Sequence, residues 1–386
     1  VHIGQLWYSF GWEIQLLETG FIAIFLCPLL DMRPFPRHPT PAPAIWLLRW
    51  LTFRIYLGAG LIKIRGDECW RNLTCLYYHY QTQPIPNPLS PWFHFMPKWF
   101  HNFGVLWNHF IELIAPFFVF YPRILRHIAG ILLISFQFFL ILSGNLSFLN
   151  WLTILPSIAC FDDKFFKRVL PKWIVRKAEH AAKNAKSGNY GYLIALVFLV
   201  VVAWLSIPVV QNLLSSRQVM NTSFNQLHLV NTYGAFGSVG KLRLELVVEG
   251  TDDEILTSQT VWNQYEFKAK PTDPKRKLPI IAPYHYRVDW EIWFAAMSTP
   301  QSHPWMINFV WKLLHNDESV LSLIASNPFP DKPPKYIRVE LYKYEFVSPW
   351  DKSGLVWKRE RIGAWLPPLS KDNKELREFV EANGWG

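Results

Sequence analysis

Lys63 stands in LGAGLIKIRGDECW, close to the end of a long apolar run, and a lysine stripped of water acts as a base when its pKa falls. The competing reading is a lysine that stretches to an interface beside Arg65 and Asp67, its stem in the apolar layer and its ammonium in water. Other ionisable residues interrupt neighbouring apolar runs: Glu13 and Glu18, then Arg49 and Arg54, then His109 and Glu112. Charges so placed cost free energy and face partners or a cavity. Counting depth at about 1.5 Å per residue puts Glu18, Arg54 and Glu112 within about a turn of one level. This predicts a Glu18–Arg54–Glu112 network joining three helices. A second chemistry-bearing stretch is Pro283-Tyr284-His285-Tyr286-Arg287-Val288-Asp289-Trp290. Its His, Arg and Asp among aromatic rings suit acid–base work, a structural hydrogen-bond cluster or a recognition surface. It has no G-x-S-x-G elbow, no H-E-x-x-H spacing and no phosphate loop, so no catalytic group, metal or cofactor is assigned.

The elements that must position these residues are helices in a bilayer. Hydrophobic residues make up 51% of the 386 and charged ones 18%, below the roughly 25% of ordinary globular domains. The 20 Trp and 29 Phe suit bilayer interfaces. The net charge of +10 gathers beside apolar runs instead of forming a long stripe, which argues for orientation in a membrane and against nucleic acid. GYLIALVFLVVVAWLSIPVV, residues 191–210, is uncharged and long enough to cross about 30 Å of hydrocarbon. Weaker candidate spans are 11–30, 45–64, 103–121, 124–142 and 146–161. The expectation is a polytopic α-helical membrane bundle of about six spans over residues 1–210. The chain opens at Val1 inside an apolar stretch and reads as a fragment with more sequence upstream.

Basic residues orient the bundle. Lys164, Lys167, Arg168, Lys172, Arg176, Lys177, Lys183 and Lys186 are opposed by Glu179, which makes 162–190 a cytoplasmic loop. Alternation then puts the joints at 31–44 (Arg33, Arg37) and 121–126 (Arg123, Arg126) on that side. The loop 65–102 and everything after 211 fall in the lumen. Cys69 and Cys75 flank the sequon Asn72-Leu73-Thr74, and both a disulfide and a glycan belong in an oxidising lumen. Asn221 heads a second sequon. Asn145 heads a third, too close to the membrane to be a good acceptor. Cys27 and Cys160 read as small buried hydrophobes.

Beyond 211 the pattern becomes that of a soluble, β-rich α+β domain over 211–386. Strands are expected at 241–249, 265–270, 336–346 and 356–365, helices near 289–298, 304–315, 317–325 and 373–383. Asp317 is expected to cap the third helix and Asp372 or Ser370 the last. Aromatic density marks Trp262, Tyr265 and Phe267, and the strip Tyr284, His285, Tyr286, Arg287, Asp289, Trp290 and Trp293, as the candidate binding face.

The stretches GLIKIRGDECWRNLTCLYYHYQTQPIPNPLSPWFH, SGNLSFLNWLTILPSIACFDD, NTYGAFGSV, YEFKAKP, APYHYRVDWEIWFAA and KRERIGAWLPP resemble the lipase maturation factor family over nearly the whole chain. The resemblance implies a non-enzymatic, multi-pass protein of the endoplasmic reticulum membrane that helps secreted lipases, such as lipoprotein lipase, fold and assemble as dimers. It implies immature lipases as partners of the lumenal domain, with lumenal chaperones or oxidoreductases as further partners. More distantly, Ala59-Gly60-Leu61-Ile62-Lys63-Ile64 resembles the A-G-x-x-K-[LI] setting of the catalytic base in vitamin K-dependent gamma-carboxylases. Two alternatives follow: a membrane-embedded, carboxylase-like enzyme using Lys63, and a scaffold that recruits oxidoreductases through Cys69 or Cys75.

Overall fold

A computed structural model describes residues 4–27, 31, 33–185 and 189–385. The last residues of the first candidate span and Lys186 lie outside the described residues. The chain divides into two compact units. Unit 1 comprises Val1–Leu76, Lys98–Ile141 and Phe148–Val239; unit 2 comprises Tyr77–Pro97, Leu142–Ser147 and Gly240–Gly386. Hydropathy alone drew the boundary at 210/211 and kept each loop with its flanking spans. Instead, 211–239 folds with the bundle, while parts of the 65–102 loop fold with the C-terminal domain.

Unit 1 is helical. Among the described residues four helices are long and apolar enough to cross a membrane: α2 (Ala42–Arg65), α3 (Lys98–Phe120), α4 (Arg123–Ser143) and α8 (Tyr190–Leu214). The other two of the six expected spans are shorter helices, α1 (Gly11–Ile24) and α5 (Leu149–Cys160). Helix α2 starts at Pro41 and Pro43, where proline costs no helix hydrogen bond, and ends with Lys63 and Arg65 facing the carbonyl end of the dipole. It is the most enclosed of the long helices, and Leu51, Ile111, Val119, Leu133 and Val202 meet in the core around it. Between α5 and α8 run α6 (Asp163–Val169) and α7 (Lys172–Lys183).

Unit 2 is built on a four-stranded antiparallel sheet in the order β2-β1-β5-β6, where β1 is Arg243–Thr251, β2 Asn263–Gln264, β5 Tyr336–Phe346 and β6 Trp357–Ser370. A second sheet pairs β3 (Glu266–Phe267) with β4 (Ile324–Ser326). Register runs from Arg243 opposite Tyr344 to Thr251 opposite Tyr336. Residues 241–249, KLRLELVVE, alternate charged and apolar side chains, a pattern that suits a strand with one solvated face, yet nearly all of β1 is buried. Its charges are neutralised inside. Arg243 pairs with Glu245 at 2.5 Å, Lys270 reaches Glu245 at 3.3 Å, and Arg338 reaches Glu249 at 2.8 Å. The longer helices are α9 (Arg287–Ala296), α10 (Trp305–Leu314) and α11 (Lys374–Ala382). Asp317 caps a single turn, Glu318–Leu321, after which the chain enters β4 rather than continuing as helix. The last helix is capped by Asn373, whose side chain accepts from the Leu376 amide, and not by Asp372 or Ser370.

Candidate functional site

Side chains on a helix lean toward its N-terminus, so Lys63, near the C-terminal end of α2, reaches back into the bundle rather than out to the interface. Glu112 on α3 meets it. The Lys63 ammonium lies 2.5 and 2.7 Å from the two carboxylate oxygens of Glu112 and 3.1 Å from Asn108 Oδ1. Asn108 in turn donates to Glu112 at 2.9 Å. The Trp70 ring stands 5.1 Å from the ammonium, and both charged side chains are about 95% covered, with exposures of 6% and 5%. Two local features allow this. A Cβ on Gly60 would come within 2.9 Å of Glu112 Cβ and 2.7 Å of Leu113, so only glycine lets α3 approach so closely. Glu112 also sits in a wide turn, Phe110–Ile114, that interrupts the regular helix. Held this way, Lys63 and Glu112 form a buried ion pair that ties α2 to α3.

Arg54 and Glu18 form a second buried pair. Arg54 also donates to the Asn231 carbonyl at 2.7 Å. The other Glu18 oxygen accepts from Tyr233 Oη at 2.6 Å, Asn231 Nδ2 at 2.9 Å and the Asn231 amide at 3.2 Å. The expected three-member network is therefore two separate clusters, with Glu112 joined to Lys63 and not to Arg54. Asn231 and Tyr233 supply what depth counting lacked, because it considered only residues within spans. Gly58 marks their approach: a Cβ there would lie 2.3 Å from the Tyr233 carbonyl oxygen.

In unit 2 the aromatic stretches separate into core and surface. Tyr265, Phe267 and Trp290 are buried, Phe267 stacking on Phe309, so these three candidates belong to the core and not to a binding face. Their density signalled packing, which large rings dominate. Asp289 is also buried and accepts the amides of Ala269 and Lys270 at 2.6 and 2.8 Å. Burial nonetheless raises its pKa. His285 is buried with Arg287 2.9 Å from Nδ1, and burial, then the Arg287 charge, pushes its pKa down to about 3. His285 and Asp289 thus point to different partners and form no acid–base pair. Trp293 is half-buried and donates to the Thr82 carbonyl at 3.0 Å. Trp262 is half-covered by the Arg338 guanidinium, 4.1 Å from its ring centre. What remains accessible is Tyr284 at 61% exposure, in edge contact with the half-buried Tyr286, together with Ile280 at 79%. Asn145 braces this loop by accepting from the amides of Ile281 and Ala282 and donating to the Pro279 carbonyl.

Cys69 and Cys75 are joined in a disulfide. Asn72 between them is exposed, whereas Asn221 is half-buried. Among the described residues no group of three His, Cys, Asp or Glu could hold a metal ion.

These features define a helical membrane protein with internally paired charges and an appended sheet domain. Residues 1–168 match the lipase maturation factor transmembrane domain and residues 229–367 the lipase maturation factor C-terminal domain. The chain is 51% identical to lipase maturation factor 1 of Homo sapiens over 402 residues, covering all of this chain and 70% of that protein. The bovine counterpart is 49% identical over 403 residues, covering all of this chain and 72% of that protein. Lipase maturation factor 2 of Xenopus laevis is 28% identical over 493 residues, covering 99% of this chain and 69% of that protein. The chain belongs to the lipase maturation factor family. No solved structure matches it.

Proposed function

We propose that this protein is a non-enzymatic folding factor of the endoplasmic reticulum membrane that helps secreted lipases, such as lipoprotein lipase, fold and pair as dimers. The observation that carries the reading is the 51% identity, over the whole chain, to a protein named for lipase maturation. The bundle anchors; unit 2 works in the lumen on immature lipase chains. Two features support that orientation. Asp162 pairs with Arg123 at 2.6 Å, which brings the basic joints 121–126 and 162–190 to one end of the bundle, as expected of a cytoplasmic face. The Asp67 amide donates to the Gly237 carbonyl at 3.0 Å, which groups the start of the 65–102 loop with the segment after the last span. The pairing of Lys63 with Glu112 favours an anchoring role over a catalytic one, and the Cys69–Cys75 disulfide is of the kind an oxidising lumen sustains.

The client-facing surface in this reading is the exposed Ile280–Tyr284 loop. The test is secreted lipase activity per unit of lipase protein in cells lacking their own maturation factor. Wild type raises it; Ile280→Asp/Tyr284→Asp, which alters exposed side chains only, reaches wild-type abundance and raises it several-fold less. Failure of the wild type ends the functional proposal, and full activity of the variant moves the client surface elsewhere.

A further inference from the structure

The basic joint between α5 and α8 has a build that anchoring alone does not require. Its base is fixed to a membrane-length helix: Asp162 caps α6, accepting from the Phe165 amide at 3.0 Å, and pairs with Arg123, the first residue of α4. Arg126 adds a hydrogen bond to the Cys160 carbonyl at 2.9 Å. At its other end the joint runs, within a few residues, into α8, the most apolar of the four membrane-length helices among the described residues. Both ends of the joint are therefore at a bilayer surface.

Its side chains are sorted. Ala181 is buried and Ile174 and Val175 are half-buried, so α7 already has a packed face within unit 1. Val169, Leu170 and Trp173 form a second apolar group at the bend between α6 and α7, and they are exposed by 64, 39 and 55%. Around this wedge Arg168, Lys172, Arg176 and Lys177 are all exposed. Lys177 lies over the Trp173 ring at 5.4 Å. The acid nearest in α7, Glu179, is engaged by Lys167 at 2.7 Å, so it does little to offset the other cations. A tryptophan and two aliphatic side chains interspersed in sequence with exposed cations fit a headgroup layer, where rings and alkyl groups enter the acyl boundary and the cations meet phosphate and carboxylate.

We infer that the Asp163–Lys183 joint binds anionic lipid headgroups of the bilayer that the chain itself crosses, with Val169, Leu170 and Trp173 inserted. Charge complementarity selects the occupant: a neutral lipid surface satisfies the wedge but not the cations. The inference stands apart from lipase handling, since it concerns the opposite loop system and needs no client.

The experiment is hydrogen exchange on peptides spanning 163–183, using the full chain in nanodiscs of phosphatidylcholine alone or mixed with phosphatidylserine. Exchange is expected to slow at least about tenfold with the anionic lipid and to recover in high salt, because each surface cation contributes to membrane attraction. Arg168→Gln/Lys172→Gln/Arg176→Gln/Lys177→Gln should abolish the dependence on phosphatidylserine; these are exposed side chains, and exchange elsewhere in the chain reports whether the fold is kept. Trp173→Ser should weaken protection in both lipids. Equal exchange of the wild-type joint in the two nanodiscs overturns the inference. So does protection that appears only when an acidic protein is added.

Discussion

Whether Lys63 anchors or reacts is decided by removing it together with its partner. Lys63→Met leaves the Glu112 carboxylate in an apolar bundle with Asn108 as its one remaining hydrogen-bond donor among the described residues, and the loss of one member of a buried pair costs about 3–5 kcal/mol. Glu112→Leu leaves the ammonium with Asn108 and the Trp70 face, and a comparable loss is expected. In Lys63→Met/Glu112→Leu both charges are gone and the volumes are roughly kept. Replacing a buried ion pair by apolar side chains is often neutral, so the double variant should return to within about 1–2 kcal/mol of wild type. The singles should therefore be recovered poorly, and the double should melt in detergent close to the wild-type temperature. Lipase maturation by the double should match its abundance. A double variant that is stable and abundant but inactive would refute the anchoring argument, because nothing but lost chemistry at Lys63 or Glu112 would then remain.

Three further outcomes are expected. Arg243 donates to the carbonyls of Gln81, Gln83 and Pro84 at 2.7, 2.6 and 3.0 Å while paired with Glu245, so Arg243→Met should destabilise unit 2 by about 3–5 kcal/mol, read as earlier proteolysis of its segments. Arg243→Lys should rescue little, since a single ammonium cannot reproduce the planar fork. Burial raises the Glu291 pKa to about 7; a carboxyl raised above its unfolded value favours the fold most below that value, and the advantage is lost as pH rises through about 7. Glu291→Gln should therefore flatten the fall in melting temperature between about pH 4.5 and 7, and an unchanged slope would assign it elsewhere. Asn72 is exposed in the Cys69–Cys75 loop, so Asn72→Gln should remove a glycosidase-sensitive mass step in cells; absence of that step in the wild type would count against a lumenal 65–102 loop.

The parts legible in the sequence were those set by one-dimensional pattern. The uncharged run in α8 and the alternation in Tyr336–Phe346 each demand one kind of element, and both are present. Charge inside apolar runs was equally readable as a need for partners, and Arg54 did find Glu18. The partner of Glu112 was not readable, because the lean of Lys63 along its helix and the glycine contact at Gly60 decide it, and depth counting contains neither. Aromatic density misled in unit 2 for a related reason. Rings fill cores as readily as they form surfaces, and only the fold separates Phe267 and Trp290 from Tyr284. The Asx cap at Asn373 displaced two equally plausible neighbours by one and three residues, a scale at which spacing has little power.

The segment after the last span carries the most consequential misreading. Hydropathy ends the bundle near 210, and a hinge there would make the sheet domain a load on a flexible tether. Yet Asn231 and Tyr233 supply four contacts to Arg54 and Glu18, and Val230 lies in the bundle core. Residues 211–239 are thus part of the anchor's own fold. A chain cut after Val210 would strip the Glu18 carboxylate of three donors and leave a buried charge pair half-solvated, so its failure in cells would report a damaged bundle and nothing about the sheet domain. A cut after Val239 keeps those contacts. If the Val239 form is abundant while the Val210 form is degraded, the buried cluster, and not the hydrophobic run, sets where the anchor ends; equal abundance of the two would remove that argument.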